Sequence, residues 1–85
     1  MDESGLSLLR ALRPRDRVTL HVLRATPGSS LDASLREGGF VGLDLRALLV
    51  HISLEGRGGG MSFPFDDVLL VERRHDGIHM TVRMR

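Results

Sequence analysis

The stretch from Gly39 to Leu54 most constrains the fold, because apolar side chains recur at every second position along its second half. This spacing is typical of a half-buried β-strand, in which successive side chains point to opposite faces of a sheet. The apolar side comprises Leu48, Val50, Ile52 and Leu54. Gly42 and Asp44 precede the run and indicate a tight turn, with Asp44 suited to an Asx-type turn. The stretch therefore predicts two strands joined by that turn.

Shorter alternating segments predict further strands, bounded by glycine or proline. They cover residues 17–23, 31–36 and 61–65, followed by two arms on either side of Asp76-Gly77. Asp-Gly is a strong signal for a two-residue hairpin turn when both residues adopt positive φ. Pairing outward from it sets Val71 opposite Val82 and places Val68 and Leu70 on the polar side. Gly38-Gly39 permits a bulge or sharp bend of the kind that curves a strand around a small barrel.

A short helix is predicted before the strands. Asp2 or Ser4 can cap it, its leucines recur on one side, and Pro14 prevents its continuation beyond about Arg13. We therefore expect one mainly β domain over residues 1–85, a small five- to six-stranded barrel with a short N-terminal α-helix. Its parts are the helix in residues 1–14, the barrel in 17–74 and an additional C-terminal hairpin strand in 75–85.

Length and composition exclude several classes of protein. A chain of 85 residues can form one modest core, which leaves no room for a deep active-site cleft. The absence of cysteine excludes disulfides and thiolate metal sites. No apolar run approaches the roughly 20 residues of a membrane span. With no catalytic signature in the sequence, we expect a cytoplasmic, non-enzymatic protein without a cofactor or a membrane partner.

The histidines do not form a metal-binding pattern. In the predicted hairpin, His75 and His79 project from opposite faces, whereas chelation needs ligands that converge on one ion. His21 and His51 fall on the less apolar faces of their strands, where surface or interface positions are expected. We therefore predict no metal site.

Charge gives an equivocal signal for nucleic acid. All 12 basic residues are arginine, and 11 acidic residues reduce the net charge to +1. Only local clustering can then attract phosphate. Arg10, Arg13, Arg15 and Arg17 cluster near the predicted end of the helix. Two interpretations remain open, compensation of the helix dipole followed by a solvated linker, or a phosphate-binding patch.

Two segments resemble the signatures of the Sm-like barrels, the family that includes the bacterial RNA chaperone Hfq. Residues 39–50 resemble the first signature, in which a glycine, a hydrophobic residue and an aspartate precede an apolar strand. Residues 61–71 resemble the second, and the likeness covers roughly residues 4–73 when the helix is included. The resemblance implies binding of single-stranded RNA on a ring of six or seven subunits. Leu48 replaces a base-contacting asparagine of eukaryotic Sm proteins, and Pro64-Phe65-Asp66 replaces Tyr-Lys-His of the bacterial chaperone.

The leading hypothesis is thus a non-enzymatic Sm-like barrel that binds single-stranded RNA as a homo-oligomer formed through strand edges. The alternative is a protein-interaction or assembly module that binds no nucleic acid. An RNA site would depend mainly on arginine, with Phe40 as the best stacking candidate because it lies beside the predicted turn. The expected RNA-binding residues are Arg13, Arg15, Arg17, Phe40, Asp44, Arg46 and Arg57.

Overall fold

The computed structural model describes residues 1–25, 31–54 and 59–84. A single short helix precedes six strands, and a 3₁₀ helix of three residues joins the fourth strand to the fifth. The elements are α1 (Glu3–Arg10), β1 (Arg17–Ala25), β2 (Leu31–Asp44), β3 (Leu49–Leu54), β4 (Gly60–Pro64), the 3₁₀ helix (Phe65–Asp67), β5 (Val68–Arg74) and β6 (Gly77–Met84). This confirms a mainly β chain with a short N-terminal helix.

The strands form one sheet in the order β4-β3-β2-β1-β6-β5. All neighbours are antiparallel except β1 and β6, which run parallel. Within the described ranges the end strands β4 and β5 are not paired with each other, so the sheet is open and the predicted barrel closure is unconfirmed. The last strand, predicted as an addition to the barrel, lies inside the sheet between β1 and β5.

Helix α1 begins where predicted and ends earlier. The Asp2 carboxylate accepts a hydrogen bond from the backbone N–H of Gly5 at 2.8 Å, which satisfies one of the unpaired N–H groups of the first turn. Beyond α1, Arg13 N–H donates to the Asp16 carboxylate and Asp16 N–H donates to the Arg13 carbonyl. This local turn competes with a further helical turn, so the helix stops three residues before the predicted end.

The core lies on the inward face of the sheet and is completed by the fully buried Leu9 of α1, with Leu8 packed against it. The largest fully buried side chains are Leu9, Val18, Leu20, Val50, Ile52, Val68, Met80 and Val82. At Gly38 the backbones of β2 and β3 approach closely. A Cβ atom placed there would lie only 2.5 Å from the Ser53 carbonyl oxygen. The bulge predicted at Gly38-Gly39 occurs slightly later, between Phe40 and Gly42.

The turn between β2 and β3 spans residues 45–48 and not the predicted Gly42–Asp44. The Asp44 carboxylate accepts hydrogen bonds from the N–H groups of Arg46 and Ala47, at 3.0 and 2.9 Å. These bonds confirm the predicted Asx-type role of Asp44 and place the turn after it. Leu48 was therefore wrongly assigned to the buried strand face: it lies in the turn at φ 57° and is 54% exposed.

The β5–β6 hairpin has its predicted strands in a different register. Arg74 pairs with Gly77 around His75 and Asp76, so Val71 faces Met80 and not Val82. Of the hairpin residues only Gly77 has positive φ, whereas the predicted turn required it of Asp76 as well. A bulge between Val68 and Leu70 also reverses the face of Val68, which is fully buried and was wrongly predicted on the polar side.

Candidate functional site

The predicted arginine cluster lies on the connection between α1 and β1, and residues 13–17 are called the arginine loop below. Arg15 N–H donates to the Phe40 carbonyl at 2.8 Å, and Phe40 N–H donates to the Asp16 carbonyl at 2.7 Å. These two bonds attach the loop backbone to β2. The side chains of Arg13, Arg15 and Arg17 are all exposed. The fold therefore presents three guanidinium groups to solvent from a fixed stretch of backbone.

Acidic side chains accompany the arginine loop and reduce its positive charge. Arg17 Nε lies 4.0 Å from a carboxylate oxygen of Glu37 on β2. Asp16 lies within the loop and accepts a hydrogen bond from Arg13 N–H at 2.8 Å. Three arginines thus share their surroundings with two carboxylates. The local excess of charge is positive but small, which limits the attraction for phosphate.

Phe40 does not occupy the exposed position that a base-stacking side chain needs. It is 5% exposed and belongs to the hydrophobic core. Its backbone bonds to residues 15 and 16 hold this part of β2 beneath the arginine loop, with the ring directed inward. The prediction for Phe40 is therefore corrected. Phe63 is also buried and Phe65 is half-buried, so contacts to bases on this surface would depend on arginine planes.

Two of the remaining predicted RNA-binding residues, Asp44 and Arg46, lie at the β2–β3 turn. Asp44 uses its carboxylate to hold that turn, and Arg46 is exposed within it. Arg57 lies outside the described residues. A shallow groove of about 220 Å³ separates the end of α1 from β2 and the turn, and Arg10 and Leu45 both line it. The structure therefore brings the turn to the end of the sheet where α1 terminates.

A histidine pair on the outward face of the sheet is the main polar feature that the sequence did not reveal. His21 Nε2 and His79 Nδ1 lie 2.8 Å apart, and the rings are stacked with centroids 5.0 Å apart. His79 Nε2 lies 2.8 Å from the Asp76 carboxylate. Parallel pairing of β1 with β6 creates this network: Thr19 pairs with His79 and His21 pairs with Thr81, so the two histidines are diagonal neighbours on the same face. The three-residue spacing of Asp76 and His79 was the available signal in the sequence.

Electrostatics couple Asp76 to this pair. The hydrogen bond from His79 holds the pKa of the Asp76 carboxyl below its usual value of 3.8. When Asp76 accepts from His79 Nε2, the other nitrogen of His79 is left to bond His21, which fixes the orientation of both rings. In the described ranges, no three histidine or acidic side chains converge in a way that could hold a metal ion. The three side chains form a hydrogen-bonded chain from His21 through His79 to Asp76.

The two edges of the sheet are the other exposed feature. On β5, Leu69 and Leu70 follow one another at the bulge, and each is 48% exposed. The second half of the same strand is charged, and Arg74 is hydrogen-bonded there to Glu72. The opposite edge, β4, pairs only with β3 and ends at Pro64. In the described structure, each of the two edge strands, β4 and β5, therefore contains a segment without charged side chains.

Comparison with known proteins gave no match, since neither a family model, a curated protein nor a solved structure matches this chain. No helix in residues 1–25, 31–54 or 59–84 combines the length and hydropathy that crossing a bilayer requires.

Proposed function

We propose that this domain is a non-enzymatic assembly module that forms homo-oligomers by pairing β4 of one copy with β5 of the next. The observation that carries the proposal is the open sheet, in which β4 and β5 each have a single strand neighbour. An edge strand exposes N–H and C=O groups that a strand of another chain can bind. Leu69 and Leu70 add exposed apolar area at one of these edges.

The two edges differ in sequence, which determines the symmetry of such an assembly. Contact between different surfaces of identical subunits repeats from copy to copy, and it forms a ring when the rotation closes. A closed ring leaves no edge free, so its assembly is limited in size. The resemblance to Sm-like barrels leads us to expect six or seven subunits, and formation of a closed barrel-like wall between neighbours.

Leu70 provides a direct test of this interface. It lies on edge strand β5, whereas Leu35 is more exposed, at 63%, but lies on the interior strand β2. We expect Leu70→Lys to weaken self-association about tenfold or more, since edge lysines oppose strand pairing. Leu35→Lys, the matched control, should leave it unchanged. Native mass spectrometry across a concentration series measures both.

A wild-type protein that remains monomeric at all concentrations would contradict the assembly proposal. Equal loss of oligomer in Leu70→Lys and Leu35→Lys would also contradict it, because charge on the outward face and not edge pairing would then control association. A dimer without higher species would replace the ring by pairing between identical edges.

Binding of single-stranded RNA is a second candidate function, favoured by the attachment of the arginine loop to β2. Three exposed guanidinium groups on a fixed backbone can contact successive phosphates and stack on bases. The local carboxylates and the burial of Phe40 make this the weaker candidate. It is compatible with assembly, because a ring would repeat the arginine loop once per subunit.

A salt titration separates RNA binding from assembly alone. RNA binding predicts retention of a single-stranded oligonucleotide that falls steeply between low and high salt. The double variant Arg15→Ala, Arg17→Ala should weaken it. The matched control, Arg73→Ala with Arg74→Ala on β5, removes the same charge elsewhere and should have a smaller effect. Absence of retention at low salt, or equal loss in both double variants, would contradict an RNA site on the arginine loop.

A further inference from the structure

A cavity of about 320 Å³ opens on the inward face of the sheet, and its described lining comes from strands alone. This volume lies at the lower end of the range typical of small-molecule pockets, about 300–1,000 Å³. Side chains from five strands line it. The described lining comprises Leu20, Val22, Arg24, Ser34, Arg36, Leu54, Met61 and Met84.

The cavity exists because the inward face of β2 is polar where its neighbours are apolar. Leu20 on β1 has Met80 on one side and Arg36 on the other, and Val22 faces Ser34 across the same pair of strands. A charged side chain at such a position cannot fill the core, since its guanidinium group must keep polar surroundings. The apolar side chains of β1 and β6 therefore have no apolar partner on this part of β2, and a space remains in front of Arg36.

The described part of the cavity lining is positively charged. Arg24 Nη2 has a weak contact with the sulfur of Met84 at 3.7 Å. In the described ranges the side chain of Arg36 has no hydrogen bond or ion pair, and the described lining contains no acid. Two guanidinium groups thus border a space with both polar and apolar walls, without a carboxylate from those residues. An anionic group would form charge-assisted hydrogen bonds with these two exposed side chains.

We propose that this cavity binds a small amphipathic anion, a carboxylate on an alkyl chain of medium length. The carboxylate contacts the guanidinium of Arg36, assisted by Arg24, and the chain lies against Leu20, Leu54 and Met61. If each non-hydrogen atom occupies about the volume of one water, ~30 Å³, the space holds about ten of them, the size of octanoate. Apolar walls with a few convergent polar groups are the usual composition of a ligand site.

The methionines allow a site-specific test in the intact chain. Met61 and Met84 line the cavity, whereas Met80 is fully buried in the core and Met1 packs near α1. In protein labelled with ¹³C at the methionine methyl groups, we expect octanoate to shift the Met61 and Met84 signals saturably. The Met80 and Met1 signals should move little. A shift of all four signals would indicate general loosening and would overturn the proposal, as would no shift.

Comparison ligands test the recognition of charge. Octylammonium and 1-octanol have the same alkyl chain as octanoate but a cationic and a neutral head group. A cavity that recognises only the chain would therefore bind 1-octanol with the same affinity as octanoate. We expect octanoate to bind at least about tenfold more tightly than 1-octanol, because hydrogen bonds that involve a charged group are stronger than those between neutral groups. Octylammonium should not bind. Equal affinity for the three ligands would overturn the proposal.

Charge-removing variants test the assigned residues. Arg36→Gln should weaken octanoate binding about tenfold or more, and Arg24→Gln should weaken it by a smaller factor. Arg73→Gln on β5 is the matched control, since Arg73 is exposed and does not line the cavity. Unchanged affinity in both cavity variants, or equal loss in the control, would overturn the assignment. If Arg36→Gln does not fold, the octanoate affinity of Arg24→Gln and the comparison of the three ligands test the proposal in its place.

Discussion

Both faces of the β1–β6 pair contain buried side chains, but these are stabilised differently. On the inward face, Val18, Leu20 and Met80 are fully buried by other apolar side chains. On the outward face, Thr19 and His79 are each 7% exposed, and both form side-chain hydrogen bonds. Burial stabilises an apolar side chain without a partner in any particular direction, whereas each buried polar atom needs a correctly placed hydrogen-bond partner. The inward face should therefore dominate total stability, and the outward face its dependence on pH.

The largest change in the free energy of unfolding is expected when a side chain on the inward face is truncated. Met80→Ala should lower the free energy of unfolding by about 2–5 kcal/mol, because it removes buried apolar surface and leaves a cavity. Leu70→Ala, on an exposed leucine, should change it by less than about 0.5 kcal/mol. Urea denaturation followed by circular dichroism measures both. Similar values for the two variants would show that the inward face does not have the dominant role.

A smaller loss is expected on the outward face. His79→Ala removes hydrogen bonds to His21 and Asp76 and should cost about 1–3 kcal/mol at neutral pH. His51→Ala is the matched control, because its hydrogen bond to Ser62 is exposed, and we expect a change below about 0.5 kcal/mol. The same urea experiment applies. A loss from His79→Ala as large as that from Met80→Ala would remove the distinction between the faces.

The smallest effect on stability is expected from Asp76, and it appears only at acidic pH. Its pKa is lowered in the folded protein, chiefly by the hydrogen bond from His79, so the folded state favours the ionised carboxylate. The resulting stabilisation is present above the usual value of 3.8. It is lost as the pH falls through the lower folded pKa, because the unfolded chain binds a proton more readily.

Asp76→Asn removes this titration while keeping a similar shape and a hydrogen-bond acceptor. Between pH 6 and pH 2, the urea midpoint of the wild type should therefore fall more steeply than that of the variant. Asp66→Asn, at an exposed aspartate in the 3₁₀ helix, provides a control for the general effect of removing a carboxylate. Parallel pH profiles for wild type and Asp76→Asn would contradict the assigned coupling.

Local signals in the sequence predicted the local structure well. The capping residue Asp2, the alternation in β1 and β3 and the Asx-type turn at Asp44 all occur as predicted. The errors arose where one residue changes a register. A bulge beside Leu69 moved Val68 to the core, and the left-handed backbone at Gly77 alone moved the hairpin turn. Period-two alternation cannot indicate such shifts, because it is unchanged on either side of them.

For the candidate sites, the sequence located the arginine cluster but not its surroundings. It could not indicate that Glu37 approaches Arg17 or that Phe40 lies beneath the loop, because both contacts depend on how β2 pairs with residues distant in sequence. The edge leucines carried a partial signal, since Leu70 was noted on a polar face. The cavity at Arg36 carried none, because an arginine in an alternating strand is ordinarily read as the solvent side.

The sequence by itself determined a short capped helix, several alternating strands and a mainly β chain, because these features follow from interactions between near neighbours. The tertiary structure decided the strand order, with β6 inserted parallel to β1 and the edges left to β4 and β5. It thereby created the histidine pair, the exposed edges and the arginine-bordered cavity. The physical reason is that side-chain alternation indicates which residues share a face of a strand, but neither which face is buried nor which distant strand lies beside it.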